Sequence, residues 1–307
     1  MKSKTGVRVA RQFEALVLAA LTVVPFAASA PITDPAYRAS VEKWRQAYEA
    51  DLKSDHGWLS VSGLFWLHEG ENTFGSGPLN DIVLPAPAPA SAGSFEFHSG
   101  RTVVHLKSGV PATIGGKRVE AAEMHPDSSA DQLVLGDLTL YVHSSGERFT
   151  IRLRDKNSPL RKSFAGTRWF PVDESYRAVG KFVPYGQPKP IEIQNVMGDT
   201  LKDTMQGYIT FKLGGKDLRL DADASSGEVE LVFRDLTSGH ETYAASRFLD
   251  TTIGADGKVV LDFNEAYNPP CAYNPYTTCP LPPPQNRLDV RIAAGEKIYH
   301  HAATAAH

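Results

Sequence analysis

The sequence predicts a mainly β protein with a single N-terminal helix. Three observations carry this. Apolar residues recur at helical spacing over residues 34–53, and over no comparable length beyond residue 53. Past that point, short apolar runs alternate with period two, as in Phe95/Phe97, Val229/Leu231/Phe233 and Val259/Leu261/Phe263. Gly, Pro, Asn and Asp separate these runs at turn spacing, for example at 213–216, 225–227 and 255–257. Antiparallel sheets with one buried face satisfy that pattern.

For the helix, Asp34 supplies an N-cap and Pro35 suits the first turn. Tyr37, Val41, Trp44, Tyr48 and Leu52 form one stripe, with Arg, Lys and Glu elsewhere, so the helix is expected to cover a sheet. The strand candidates begin with the apolar stretch WLSVSGLFWL, then DIVLP, SFEFH, TVVHLKS, QLVLGDLTLYVH and RFTIRLRD. After residue 187 come IEIQNV, GYITFKL, KDLRLDA, EVELVFRD, ETYAASRFLD, KVVLDFN and RLDVRIA. The expected division is 1–30 signal peptide, 31–71 helix and apolar hairpin, 72–155 β-sandwich, 156–300 larger antiparallel domain, and 301–307 flexible tail.

Lys2, Lys4, Arg8 and Arg11 precede the apolar run 15–27 and the small residues Ala28-Ser29-Ala30, which is the order of an export signal. The expected location is therefore periplasmic or secreted, with no membrane span after cleavage. Without residues 1–30 the 32 basic and 35 acidic residues become 28 and 34, a formal charge of −6. A mildly acidic chain does not offer the basic face that nucleic acid requires. Cys271 and Cys279 are the two cysteines, and export predicts that they form a disulfide. They would make only half of a zinc site, so no metal is expected.

The segment 262–297 holds both cysteines, seven prolines and Tyr267, Tyr273 and Tyr276 between two strand-like runs. A proline-stiffened aromatic loop suits a preorganised binding wall, and it equally suits a lid on a sheet edge. Residues 243, 245 and 247 would share a strand face, placing Tyr243 beside Arg247 to frame an anionic or aromatic ligand, or to pair with an acid such as Glu296. The expected small-molecule site comprises Tyr243, Arg247, Asn264, Tyr267, Asn268 and Arg168, with an anionic, aromatic or sugar ligand and no cofactor. Nucleophile elbows, zinc-protease helices and phosphate loops are absent. The alternative is a hydrolase with Asp262 or Glu265 as base, His56 or His240 as acid, and Arg247 holding an oxyanion.

Longer motifs carry two resemblances. They are His56-Gly57-Trp58-Leu59, Gly63 to Leu67, Phe164 to Asp173, Phe233 to Gly239 with Glu241-Thr242-Tyr243, Arg247-Phe248-Leu249, and the segment 262–297. On these the chain is identified as a member of the prokaryotic domain-of-unknown-function family number 1684, which implies no activity. Asn72 to Gly75, Asn80 to Leu84, Gly93 to Phe97 and Gly136 to Leu140 resemble a forkhead-associated (FHA) sandwich. That family reads phosphothreonine through arginines next to a glycine and a serine. Ser76 follows Gly75 here, and Ser91-Ala92-Gly93-Ser94 lacks Arg and His. The resemblance therefore implies an FHA-like fold without phosphothreonine-peptide binding.

Overall fold

The computed structural model describes residues 34–301. The expected signal, 1–30, lies outside the described residues, as does all but the first residue of the expected tail. The chain is mainly β, as the alternation predicts. Helix α1, Pro35–Leu52, starts where the Asp34 side chain accepts the Ala36 N–H at 3.0 Å. Val41 and Leu52 of its stripe are buried, whereas Tyr37, Trp44 and Tyr48 are half-buried.

Eleven strands come next: β1 Val61–Trp66, β2 Gly70–Gly75, β3 Ile82–Val83, β4 Gly93–His98, β5 Arg101–Leu106, β6 Ala112–Ile114, β7 Lys117–Arg118, β8 Ala121–Met124, β9 Leu133–Leu135, β10 Leu138–Ser145 and β11 Arg148–Asp155. They build sheets of order β1-β11-β10-β9-β6-β7 and β3-β2-β4-β5-β8. Inward-facing Phe74, Phe95 and Val104 meet Leu140, Ile151 and Leu153 in one core, so the two sheets form a sandwich. The apolar stretch 58–67 does not make the expected hairpin. Residues 58–60 form a short 3-10 turn, and β1 then pairs antiparallel with β11, Phe65 opposite Ile151. The sandwich thus begins at Val61, because Leu153 and Ile151 offer this run an apolar neighbour that its own sequence neighbours do not.

After the short helix α2, Pro159–Ser163, come β12 Arg177–Gln194, β13 Thr200–Leu213, β14 Lys216–Ala222, β15 Glu228–Phe233, β16 Arg247–Thr252 and β17 Lys258–Asp262. The order β14-β13-β12-β17 makes a four-stranded antiparallel sheet, and β15 pairs with β16. Strand β12 is longer than IEIQNV suggests because a register shift between Pro184 and Lys189 absorbs residues that cannot all serve a regular ladder. Ile209, Phe211, Leu231, Leu249 and Leu261 surround Phe263, whose ring lies 5.7 Å from Phe211 and 5.5 Å from Phe233. Burying such a ring contributes roughly 1.5–3 kcal/mol.

Two expected strands differ. RLDVRIA forms no strand and pairs with a loop: Leu288 N–H donates to Arg234 O, Leu236 N–H to Val290 O, and Ile292 N–H to the Asp235 carboxylate. Residues 243–246 lie outside any strand, and β16 begins at Arg247. Tyr243 and Arg247 therefore do not share a strand face. Thr242 is instead tied back to Thr237 through backbone and hydroxyl bonds, which turns the chain before β16.

Candidate functional site

The expected wall separates into a closed and an open part. Arg247 belongs to the closed part and is 1% exposed. It donates to Asp235 at 2.8 Å, to Ile292 O at 3.1 Å and to Ala294 O, and its guanidinium lies over the Phe233 ring at 5.3 Å. Asp235 also accepts the N–H groups of Thr237 and Ile292. Burial pulls the guanidinium pKa down, and the charge of Asp235 opposes it. The Nε of Arg247 has no partner, yet Arg247 lines neither the recess beside α1 nor the acidic groove next to it. Here arginine ties the segment 292–294 to β16, and its alternative partner, Glu296, lies with other groups.

Asn264 is also structural in its contacts. Its Nδ2 donates to Tyr37 Oη, Asp173 O and Asp262 Oδ1, and its Oδ1 accepts Asp173 N–H. Tyr243 donates to Cys271 O at 3.1 Å and packs near Leu59 and Tyr273. Arg168 is exposed and donates to Ile298 O. Cys271 and Cys279 are free thiols, so the expected disulfide is not made in this structure. They are neighbours nonetheless, because the turn at 270–272 aims the Cys271 N–H at Cys279 Sγ, 3.3 Å away.

Tyr267 and Asn268 form the open part. Phe248 and Tyr267 exchange two backbone hydrogen bonds, which carries the chain beyond β17 along the edge of β16. That path brings Tyr267 under the stripe of α1. Trp44 and Tyr48 stack at 5.6 Å with nearly parallel rings, and Tyr267 tilts against both at 6.2 and 5.1 Å. Trp44, Tyr48, Trp58 and Tyr267 wall a cavity of ≈ 200 Å³ that Asp250 and Asn268 complete. Asp250 also lines an open groove of ≈ 860 Å³ running towards Tyr37 and Arg177.

Asn268 is held from several sides. Its N–H donates to Glu296 at 2.8 Å, its carbonyl accepts Tyr48 Oη at 3.1 Å, and its Nδ2 donates to Lys297 O at 2.9 Å. Glu296 in turn accepts the Tyr273 hydroxyl, which lies 3.2 Å from that of Tyr48. Burial pushes Glu296 up to about 7, against the pull of Tyr273 and Asn268. These bonds fix which way the amide points. They leave Oδ1 of a residue that is 1% exposed without a donor. An unpaired buried carbonyl of this kind costs about 1–3 kcal/mol.

The groove is acidic. Glu228, Glu230, Asp250, Asp262 and Glu265 line it, and Arg177 is the one base among the described lining residues. Glu230 and Asp250 are directly opposite on β15 and β16, and the Tyr267 hydroxyl reaches Asp250 at 3.1 Å and Glu230 at 3.5 Å. Both carboxylates touch solvent, but the groove walls displace much of the surrounding water. That desolvation, then the charge of Asp250, raises Glu230 to about 7. Desolvation also raises Asp250. Glu265 is raised to about 7 by burial and by Asp262, with Arg45 and Arg177 opposing.

The hydrolase arrangement is not assembled. Among the described residues no hydrogen bond or ion pair joins His56 or His240 to Asp262 or Glu265. Asp262 instead binds Tyr37 and caps the turn at Asn264, and Arg247 spends its terminal nitrogens internally. No group of three or more His, Cys, Asp or Glu among the described residues is placed to hold a metal. Trp44, Tyr48, Trp58, Glu230 and Asp250 were not among the expected site residues. The aromatic stripe was legible, but it reads the same whether it covers a sheet or walls a cavity.

The fold and this cleft define a β-rich protein with a preorganised aromatic and acidic recess. Residues 162–297 match the family described as "Protein of unknown function (DUF1684)", and the chain belongs to that family. It is also similar to the solution structure of an uncharacterized protein of Haloarcula marismortui, at 31% identity and a TM-score of 0.38, over 45% of this chain and 78% of that one. No curated protein matches.

Proposed function

We propose that this chain is an exported protein that binds a small molecule in the recess between α1 and the Tyr267–Asn268 segment. The carrying observation is the Asn268 Oδ1, held in place by three neighbouring bonds and left without a donor beside an aromatic cavity. A buried acceptor that the fold orients but does not use is what a ligand donor would satisfy. The cavity suits one end of a ligand, and the ≈ 860 Å³ groove gives the remainder room. Export rests on the basic and apolar order of residues 2–30. It would place the neighbouring thiols of Cys271 and Cys279 in an oxidising compartment, where closing this loop is favourable.

A thermal-shift screen of small metabolites tests the binding reading. The expected result is a compound that raises the melting temperature of the parent protein and not of Trp44→Ala. No such compound, or a shift that Trp44→Ala retains, removes this recess as the site. Thiol titration of unreduced, unfolded protein from the exported pool is expected to find no free thiol, and two free thiols would oppose the export and oxidation reading.

A further inference from the structure

We infer that the recess takes an organic cation, an ammonium or guanidinium group on a short apolar body. This rests on the binding reading of the same recess and names its ligand class. Four aromatic side chains line the cavity, and its charged lining groups are Asp51 and Asp250, with no base among them. Ring faces attract cations through their quadrupole, and the attraction grows as water is excluded. The Asp51 carboxylate has no hydrogen bond or ion pair among the described residues, and Asp250 receives only the Tyr267 hydroxyl. Asn268 Oδ1 adds an unpaired acceptor that is 1% exposed. The unspent carboxylates and the Asn268 amide oxygen of the cavity are thus anions or acceptors, while the indole N–H groups of Trp44 and Trp58 are its donors without a hydrogen bond among the described residues.

The neighbouring groove extends the same sign. Glu228, Glu230 and Asp250 lie on adjacent β15 and β16, and like charges directly opposite on paired strands repel one another. A cation placed near Asp250 relieves that repulsion, whereas an anion adds to it. An anionic ligand, one of the classes expected from Arg247 and Arg168, would meet neither arginine here, because neither lines the cavity or the groove.

Isothermal titration with choline, with its neutral carbon analogue 3,3-dimethylbutan-1-ol, and with pivalate separates these cases in the full-length exported protein. Choline is expected to bind, the neutral analogue at least about tenfold more weakly and pivalate not measurably. Asp250→Asn keeps an oxygen for Tyr267 and should weaken choline by about tenfold or more. Its melting curve checks that it folds. Equal binding of choline and the alcohol, or unchanged choline affinity in Asp250→Asn, overturns the cation assignment. If choline fails but some neutral or anionic compound binds and is lost in Trp44→Ala, the ligand class is wrong and the recess stands. If no compound of any charge shows Trp44-dependent binding, both readings fall.

Discussion

Arg247 and Asn268 lie in neighbouring parts of the C-terminal region, and the protein treats their polar atoms differently. The terminal nitrogens of Arg247 are taken up by Asp235 and two carbonyls, so that cluster is a closed internal clamp. The backbone and amide nitrogen of Asn268 are equally well held, but its Oδ1 is not paired, and the residue lines a cavity. Burial alone therefore does not distinguish a structural polar group from a binding one. What distinguishes them is that the residue with the unpaired atom lines a cavity in the case of Asn268 and does not in the case of Arg247. The same contrast separates two aspartates. Asp235 is a partner in the clamp, whereas Asp250 receives one tyrosine hydroxyl and faces a groove.

The largest expected effect breaks the closed side. Asp235→Ala leaves the Arg247 charge buried without a counterion and frees the N–H groups of Thr237 and Ile292. Removing one member of a buried pair costs about 3–5 kcal/mol. Urea unfolding should report a loss of that order, while Asp250→Asn should change stability by less than about 1 kcal/mol. Similar costs for the two variants would erase the proposed difference between clamp and recess.

Gly295→Ala sharpens the comparison at the edge of the clamp. Gly295 has φ +78°, and an added Cβ would lie 2.4 Å from Ala266 O and 2.7 Å from Phe263 O. Both atoms are backbone and cannot swing aside. A left-handed conformation and an overpacked contact together are expected to cost about 2–4 kcal/mol. A midpoint within error of the parent would show that the segment 292–296 is not held as tightly as its contacts imply.

Much of this fold was legible because it depends on local pattern. Asp34, Pro35 and the Tyr37–Leu52 stripe announce α1, and Val229/Leu231/Phe233 announces β15. The strand-like RLDVRIA was not legible as loop-paired, because its partner is the Asp235 carboxylate and the backbone around it, 50 or more residues away in sequence. The candidate site was half legible. Tyr267 and Asn268 stood out in an aromatic, proline-rich loop, but Trp44 and Tyr48 come from the far end of the chain. Glu230 and Asp250 meet only through the β15–β16 register, which alternation does not set. Arg247 was misleading for a physical reason: an arginine beside a tyrosine in sequence looks available until its counterion is known.

The smallest expected effect tests the open side by pH. Glu230 is raised from an ordinary 4.5 to about 7 by desolvation first and then by Asp250, with Tyr267 pulling the other way. Between those values the folded protein keeps a proton that the unfolded chain releases. This group's stabilising contribution is therefore complete below about pH 4.5 and is lost as pH rises through 7. Glu230→Gln removes the titration while keeping an oxygen near Tyr267. The variant should match the parent near pH 4 and exceed it at pH 8, by about 1 kcal/mol or less because the side chain is solvent-exposed. Glu265 and Glu296, also raised to about 7, still titrate in the variant, so its own pH slope shrinks without vanishing. Urea midpoints measured from pH 4 to pH 8 read this difference directly. A variant that is less stable than the parent at pH 8, or equally displaced at both ends, would mean that Glu230 is paired within the fold rather than left charged towards an empty groove.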